Sequence, residues 1–413
     1  MKIVILGSGV IGVTSAYILA ERGHEVTVIE RQSGSGMETS FANGGQLSYC
    51  HAEPWANPEV LPKIVKWLGR KDAPLVLHPG FDLAMWLWGL RFLRNCTKAR
   101  ARYHTINTLR LALYSREIMK YLRGKTGVDF AFRDAGILHI FKDDKNFESA
   151  LLQAKMQQEF GASYKSMTYQ ECMELEPMLL SANDRIIGGI HFPLDESGDI
   201  FAFTRHLAKK CQTIGVVFKY DHAILGIDTV GDEVSGVLAG DGVFTADKYI
   251  VALGSYSSVF LNKLGVKTHI YPMKGYSVSI PVNVGKAPQV SITDQSQKLV
   301  YSRLGNILRV AGTAEFAKYD TSIDEFRTTS ILRHAKNLFP EAGDFANVTK
   351  WACLRPSTPG GTPVLGRTKF KNLFLNTGHG TLGWTLAAGS ARILADFIDD
   401  KPAEIDLTGL TLS

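Results

Sequence analysis

The sequence predicts an α/β fold in which a Rossmann-like domain, built from discontinuous segments, carries an inserted α+β domain with an antiparallel sheet. Three observations support this prediction. The chain opens with the pattern of a strand, a glycine-rich turn, a helix and a second strand. Related βα patterns recur at residues 216–254 and 372–398. Between these two stretches, four short runs from residue 270 to residue 313 have the composition of strands in an antiparallel sheet.

The opening motif is typical of a dinucleotide site. An apolar strand pattern runs into Gly7, Gly9 and Gly12, and a second apolar run ends on the acid Glu30. The first glycine of such a motif permits a tight turn, the second lets a pyrophosphate approach the backbone, and the third lets the helix pack against the strand. The helix N-terminus then directs free amides at the phosphates. Glu30 follows Gly12 at about the distance where an acid accepts hydrogen bonds from a ribose.

The composition indicates a globular enzyme of two or so domains. The 413 residues are 45% hydrophobic and 21% charged, with a net charge of +6. No aromatic-interleaved nucleic-acid motif accompanies the positive charge, so we predict no nucleic-acid partner. The five cysteines lie far apart and lack ligand spacing, which argues against a disulfide framework or a metal site. We expect no signal peptide and a location on the cytoplasmic side of the membrane.

The chain alternates between two kinds of segment, so each predicted domain is discontinuous. Residues 223–227 and 234–238 predict a β-hairpin, and residues 105–123 predict an amphipathic helix. We expect the active site between the two domains, where ligands of such folds usually bind. The predicted nucleotide-binding domain comprises residues 1–50, 175–268 and 350–413, and the substrate domain comprises residues 51–174 and 269–349.

A second glycine-rich stretch favours a flavin over a nicotinamide. Residues 376–385 follow an apolar strand and lead into a helix over residues 386–398. Amides at that helix N-terminus suit the edge of a flavin ring, which becomes negative on reduction. A plain connector that starts the last helix is the alternative interpretation. Next to the first motif, residues 39–46 form a loop whose backbone could pass close to a flat ring.

Five stretches of sequence together resemble the flavin-dependent D-amino acid dehydrogenases, within the wider D-amino acid oxidase and glycine oxidase group. The resemblance covers nearly the whole chain and implies a D-amino acid oxidase-like fold with noncovalent FAD. One departure is a glycine, Gly360, where the family tends to have an acid, from which we expect a local turn difference only. The stretches are residues 4–12, 38–46, 271–277, 360–368 and 376–384.

The resemblance also implies roles for individual residues. Arg355 is expected to bind the substrate carboxylate, and its planar guanidinium suits a bidentate contact, although a structural ion pair is the alternative. Tyr271 and Tyr276 are five positions apart, so strand alternation places them on opposite faces and we expect only one to reach the pocket. Tyr301 matches a substrate-facing position of glycine oxidase, with core packing as the alternative. For His379, we favour a cofactor contact over a general base.

The predicted site is therefore defined residue by residue. The candidate catalytic residues are Arg355, Tyr271, Tyr276, Tyr301 and His379. No metal ligand is predicted. The candidate cofactor-binding residues are Gly7, Gly9, Val10, Ile11, Gly12, Glu30, Arg31, Ser40, Ala42, Asn43, Gly44, Gly45, Gln46, Leu47, Ile224, Ala252, Gly254, Gly378, His379, Gly380, Thr381, Leu382, Gly383, Trp384 and Thr385.

The resemblance implies oxidative deamination of D-amino acids to 2-oxo acids and ammonia by hydride transfer to the flavin. Electrons would pass to quinone or another acceptor that is not oxygen. The main alternative is an amine oxidase that acts on glycine, sarcosine or D-proline with oxygen as acceptor. A flavin-containing nucleic-acid-modifying protein and a non-catalytic nucleotide-binding protein are less favoured, because Arg355 accompanies an intact flavin motif and no RNA-binding segment is visible.

One segment bears on the acceptor. Residues 81–95 form a tryptophan-rich helical pattern that is too short to span a bilayer, which takes about 20 apolar residues. Tryptophans with basic flanks are typical of an interfacial membrane helix, so we predict peripheral contact with the inner membrane. A buried helix or a dimer contact is the alternative. The flanking basic residues are Lys63, Lys66, Arg70, Lys71, Arg91, Arg94, Lys98 and Arg100.

Overall fold

The structure is a computed structural model that describes residues 1–67, 69–70, 73–77, 82–240 and 242–412. Twenty strands and ten helices occur in these residues. Phe81 and Lys71 of the predicted membrane-contacting region lie outside these residues. The strands are β1 (Lys2–Leu6), β2 (Glu25–Ile29), β3 (Gln46–Leu47), β4 (Leu75–Leu77), β5 (Ile137–Phe141), β6 (Lys165–Thr168), β7 (Gly188–Phe192), β8 (Glu196–Ser197), β9 (Val217–Lys219), β10 (Ile224–Val230), β11 (Glu233–Ala239), β12 (Gly242–Phe244), β13 (Lys248–Val251), β14 (Tyr271–Pro281), β15 (Ser291–Asp294), β16 (Leu299–Leu304), β17 (Ile307–Phe316), β18 (Thr349–Ser357), β19 (Val364–Arg367) and β20 (Leu373–Thr377).

The helices connect and cover these strands, and three short 3-10 turns accompany them in the described residues. The helices are α1 (Val10–Glu21), α2 (Val60–Trp67), α3 (Leu83–Asn95), α4 (Lys98–Thr126), α5 (Asp144–Gln158), α6 (Tyr169–Leu175), α7 (Ile200–Thr213), α8 (Ser257–Asn262), α9 (Glu325–Leu338) and α10 (Gly383–Ile398).

The smaller main sheet is the predicted Rossmann-like sheet, with strand order β19-β20-β13-β1-β2-β9. All of its pairs are parallel except β19 with β20. Both faces are buried, which explains the uninterrupted apolar runs of β1 and β2. Ile3 and Ile5 pack towards α1, α7 and α10, whereas Val4 and Leu6 pack towards the hairpin β10-β11.

The larger sheet has the strand order β18-β14-β17-β16-β15-β5-β7-β6, with β4 paired to β17. The four strands predicted between residues 270 and 313 correspond to β14, β15, β16 and β17 and pair in antiparallel order where they are neighbours. The sheet is mixed, because β15 pairs with β5 in parallel. Alternating side chains give it an apolar face against α9 and a second face towards a cavity, so this sheet forms one wall of the candidate site.

Two strands pair with a different sheet than the predicted domain boundaries imply. β7 and β18 both fall within segments assigned to the nucleotide-binding domain, yet both hydrogen-bond into the larger sheet. Their apolar runs match either environment, and only long-range pairing decides which sheet they join. The predicted hairpin is present as β10 and β11, and the predicted amphipathic helix lies within α4.

Candidate active site

A cavity of about 880 Å³ lies between the Rossmann-like sheet and the exposed face of the larger sheet. The two glycine-rich turns border it from one side, and β14, β16, β17 and β18 border it from the other. The cavity therefore lies at the boundary where the sequence predicts the active site. Most of the predicted site residues line it: Gly7, Gly9, Val10, Ile11, Glu30, Arg31, Ser40, Ala42, Asn43, Gly44, Gln46, Ile224, Ala252, Gly254, Tyr276, Arg355, His379, Gly380, Thr381, Leu382, Gly383, Trp384 and Thr385.

The first glycine-rich turn requires glycine for two separate reasons. Gly7 has a φ of +100°, and a Cβ there would lie 2.7 Å from the carbonyl oxygen of Ala252. A Cβ on Gly12 would lie 1.9 Å from the carbonyl oxygen of Gly7, so α1 can approach β1 only without a side chain. Gly9 is the N-cap of α1 and provides no side-chain acceptor. Apart from the amide of Val10, which Ser40 accepts, the first amides of the helix thus remain available to an anionic group.

Glu30, at the end of β2, is held beside this turn. Its carboxylate accepts hydrogen bonds from the backbone N–H of Ser8 at 2.8 Å and from that of Gln32 at 2.9 Å. The neighbouring Arg31 pairs with Glu38 and stacks over the ring of Tyr256, 4.0 Å from the centroid. These contacts hold both side chains at the wall of the cavity before any ligand binds.

The loop over residues 39–47 attaches the two walls to each other. Val10 donates its backbone N–H to Ser40 Oγ at 3.1 Å, and Gln46 donates its side-chain amide to Ser291 Oγ at 2.9 Å. A Cβ on Gly44 would lie 2.4 Å from Val300 Cγ2, so the loop backbone runs directly over β16. Its close packing on the sheet explains why the loop carries adjacent glycines.

The second glycine-rich turn begins α10, whose N-terminus also lacks a side-chain cap. Thr385 fixes this helix to the first loop, because its Oγ1 accepts the backbone N–H of Ser48 at 3.0 Å. Trp384 is buried between Phe130 and Phe203, and its Nε1 has no hydrogen-bond partner among the described residues. Both glycine-rich turns therefore present free helix amides to one cavity, which fits a dinucleotide with a flavin ring.

His379 is buried in this second turn. Burial lowers its pKa to about 3, so the imidazole is neutral at physiological pH. Its Nε2 lies 3.2 Å from Ser390 Oγ within α10. A neutral, internally bonded imidazole fits a role in holding the turn better than a role as a proton acceptor.

Arg355 projects from β18 into the cavity and is half-buried there. Its Nη1 donates to the carbonyl oxygen of Thr313 at 2.7 Å, and no carboxylate pairs with it in the part of the chain that the structure describes. Burial lowers its pKa to about 10, which leaves it charged at neutral pH. A buried guanidinium without an anionic partner is costly, so the site is prepared for a carboxylate.

Gly275 makes room for that guanidinium and was not identified from the sequence. A Cβ at this position would lie 2.4 Å from Arg355 Cζ. Thr313 was also missed: its φ of +55° is rare for a β-branched residue and turns its carbonyl oxygen towards Arg355. The only sequence signal was a glycine within an otherwise regular strand pattern.

The three candidate tyrosines contribute little surface to the cavity. Tyr276 borders it, but its ring packs in the core beneath the sheet and its hydroxyl donates to Glu315 at 2.5 Å. Tyr271 packs against Trp88 and donates to Asp82 at 2.9 Å. Tyr301 is fully buried on the core face, because its neighbour Val300 occupies the cavity face of β16. The structure thus brings neither Tyr271 nor Tyr301 to the cavity.

Four predicted cofactor-binding positions support the cavity from behind. Gly12 and Gly378 permit close backbone packing, since a Cβ on Gly378 would lie 2.9 Å from Thr358 Cγ2. Gly45 has a φ of +72° and faces Leu304, and Leu47 is buried in the core. At the position where the family tends to have an acid, a Cβ on Gly360 would lie 2.5 Å from His104 Cε1.

The geometry defines a flavin-dependent oxidoreductase, and comparisons with known proteins agree. The chain matches the FAD dependent oxidoreductase (DAO) family over residues 2–397 and belongs to that family. It is 49% identical over 412 residues to the D-amino acid dehydrogenase of Paramagnetospirillum magneticum, covering 99% of this chain and 98% of the relative. It is 46% identical over 410 residues to the D-amino acid dehydrogenase of Dechloromonas aromatica, covering 98% of each.

Solved structures show the same fold. Glycine oxidase from Bacillus cereus superposes with a TM-score of 0.74 at 25% identity, covering 100% of this chain and 98% of that one. Glycine oxidase from Geobacillus kaustophilus gives a TM-score of 0.78 at 20% identity with the same coverage, which is a likeness of fold alone. The predicted family, fold class and FAD cofactor are thereby confirmed.

Proposed function

We propose that the protein catalyses FAD-dependent oxidative deamination of D-amino acids to 2-oxo acids and ammonia. It acts as a dehydrogenase, and the substrate names of its relatives support this activity over the amine oxidase alternative. The observation that carries the proposal is the buried guanidinium of Arg355, which has no carboxylate partner among the described residues and faces the cavity that both glycine-rich turns border.

Arg355 binds the substrate carboxylate with its two terminal nitrogens, one of which is already held by Thr313. This contact fixes the α-carbon within the cavity, and positioning supplies a large part of the rate. When the substrate ammonium has lost a proton to water, bound FAD would accept the hydride from that carbon. The imino acid that is formed hydrolyses in water. His379 helps to hold the second turn in place through Ser390, and the free amides at the start of α10 would be available to the ring.

The cofactor-binding residues follow from their placement around the cavity. The turn from Gly7 to Gly12 and the N-terminus of α1 hold the pyrophosphate, and Glu30 accepts hydrogen bonds from a ribose. The loop over residues 39–47 and the turn over residues 378–385 border the cavity and would hold the ring. We propose that the FAD is noncovalent, and acid precipitation should therefore release all of the flavin into the supernatant.

Anaerobic bleaching of the flavin tests the substrate class. The purified yellow protein should bleach rapidly with D-amino acids and be reoxidised by a quinone analogue far faster than by air. Bleaching by glycine or sarcosine with rapid reoxidation in air would instead support the oxidase alternative. Absence of bleaching by any amine would reject the proposal.

The part of the proposal that concerns the electron acceptor depends on helix α3. Among the described residues, no helix is long and apolar enough to cross a bilayer. One face of α3 is buried through Met85, Trp88 and Phe92. The other face exposes a helical stripe of apolar side chains, with Leu83 74% and Leu90 58% exposed. The remaining members of the stripe are Trp86, Leu87 and Leu93.

This stripe supports peripheral attachment to an anionic membrane, from which quinone receives the electrons. Arg91 and Arg94 lie on the same helix and Lys98 follows it, as in interfacial helices. Leu90→Ser should reduce sedimentation with anionic vesicles and slow quinone reduction, but leave anaerobic bleaching unchanged. Leu152→Ser is a matched control, because Leu152 is 72% exposed on a different helix, α5. Equal sedimentation of both variants and the wild type would reject this attachment.

A further inference from the structure

A second cavity of about 790 Å³ opens beside the first and shares part of its wall. The shared part is polar and includes His51, Glu53, His139, Gln295 and Lys298. Gln295 and His139 are joined by a 2.9 Å hydrogen bond, and the ring of His51 packs edge-on against His139 at 4.6 Å. None of these residues has a role in the site described above.

Lys298 adds a second cation to the wall of the cavity that Arg355 faces. It precedes β16 with a φ of +55°, a left-handed conformation that costs free energy in a lysine. A Cβ on Gly312 would lie 2.5 Å from the carbonyl oxygen of Lys298, so the two backbones are in direct contact. The carbonyl oxygen of Gly312 in turn lies 3.5 Å from Arg355 Nη2. The guanidinium of Arg355 therefore reaches β17, which is the neighbour of β16 in the sheet, and Lys298 directly precedes β16.

The ammonium of Lys298 is under-bonded. It donates one hydrogen bond, to Gln295 Oε1 at 2.6 Å, and pairs with no carboxylate in the described part of the chain. The carboxylates that act on it at longer range are engaged elsewhere: Glu59 with Ser149, Asp294 with Lys142, and Glu53 with Asn57. Lys63 adds a repulsive charge, although burial is the main reason that the pKa of Lys298 is lowered.

An ammonium carries three donors, so two of those on Lys298 are left for water or for a ligand in the cavities. The Lys298 side chain is exposed, and it lines both cavities. The ligand group that best replaces water on an ammonium is an anionic oxygen.

We propose that Lys298 is a second carboxylate-binding residue of the substrate site, acting beside Arg355. The inference rests on the proposed function, since it takes Arg355 as the first anchor. The carboxylate has two sources: the α-carboxylate of every substrate, shared with Arg355, or the side-chain carboxylate of an acidic D-amino acid. In either case Lys298 contributes to which substrates bind and how tightly.

Ligand affinity of the FAD-loaded enzyme tests this inference without turnover. Pyruvate and 2-oxoglutarate are titrated into the oxidised protein, and the dissociation constant is read from the flavin absorbance. KM and kcat are measured for D-alanine and D-glutamate with a quinone analogue. Lys298→Met should weaken binding about tenfold, with KM raised by a similar factor and kcat changed less.

The two sources give different results. Weaker binding of both oxo acids and a higher KM for both substrates indicate the α-carboxylate. Weaker binding of 2-oxoglutarate and a higher KM for D-glutamate alone indicate the side-chain carboxylate. Dissociation constants and KM values within twofold of wild type for all four compounds overturn the inference.

Three control variants separate this inference from the proposed function. Lys298→Arg keeps the charge and should restore most of the affinity. Lys371→Met removes an exposed lysine that pairs with Asp232 on the surface, and should behave as wild type. Arg355→Leu should abolish binding of every carboxylate. If Arg355→Leu still binds carboxylates, the proposed site is wrong. If Arg355→Leu loses binding while Lys298→Met binds as the wild type does, only the inference about Lys298 is wrong.

Discussion

On the nucleotide side of the cavity, the groups that face a ligand belong mainly to the backbone: the turn after β1 and the uncapped N-termini of α1 and α10. On the sheet side, they belong to buried side chains, above all the guanidinium of Arg355. Ligand binding at the first wall depends on positions that carry no side chain. Ligand binding at the second wall depends on a positive charge that is paired only when a ligand is bound. Substitutions on the two walls should therefore impair the protein in different ways.

The largest effect is expected for Gly12→Ala. The new Cβ would lie 1.9 Å from the carbonyl oxygen of Gly7, and both atoms belong to rigid elements. We expect loss of FAD and a free energy of unfolding lowered by about 3 kcal/mol or more. Flavin content and urea unfolding are the measurements. Gly124→Ala is the control, since no atom lies within 4 Å of a Cβ there in α4; a yellow, stable Gly12→Ala would contradict the prediction.

The corresponding change on the sheet wall is Gly275→Ala. Its Cβ would lie 2.4 Å from Arg355 Cζ, but a side chain can move where backbone cannot. FAD should remain bound while kcat/KM for D-amino acids falls by about 100-fold, because the guanidinium is displaced by an ångström or more. Gly226→Ala in β10 is the matched strand control, with its nearest contact at 3.9 Å. Joint loss of FAD and activity would show that the two walls do not act separately.

Asp195 is buried just beyond the flavin-side loop, where its Oδ1 accepts the backbone N–H of Cys50 at 2.8 Å. Burial raises its pKa to about 8, and its Oδ2 has no partner among the described residues, consistent with a protonated carboxyl. A folded-state pKa above the unfolded value contributes stability that is complete below about pH 4 and is lost as pH rises towards 8.

Asp195→Asn should remove this contribution. The wild type is expected to lose up to about 1.4 kcal/mol of stability per pH unit across that window, and the variant should lose less. Urea unfolding at several pH values between 4 and 8 measures the difference. Parallel profiles of the two proteins would mean that Asp195 is already ionised in the folded state.

The contrast between the walls also explains what the sequence could predict. The motif around Gly7 and Gly12 is local, and local backbone geometry requires glycine at fixed positions, so the nucleotide side was predictable almost residue by residue. Gly275 and Lys298 matter because of residues distant in sequence. Only a glycine within a strand pattern marks Gly275, and no short pattern marks Lys298. The pairing of β18 with β14 is long-range as well, so no local pattern predicts it.

The smallest effect is expected for Tyr301→Phe, at a residue that sequence resemblance places at the substrate. Its ring packs on Phe339 on the core face of β16, and its buried hydroxyl has no hydrogen-bond partner among the described residues. Removing a hydroxyl that makes no bond should leave stability unchanged or raise it by about 1 kcal/mol. Both kcat/KM and the affinity for 2-oxo acids should stay within twofold of wild type. A clear loss of affinity would mean that Tyr301 reaches the substrate after all, and that the sheet wall rearranges when ligand binds.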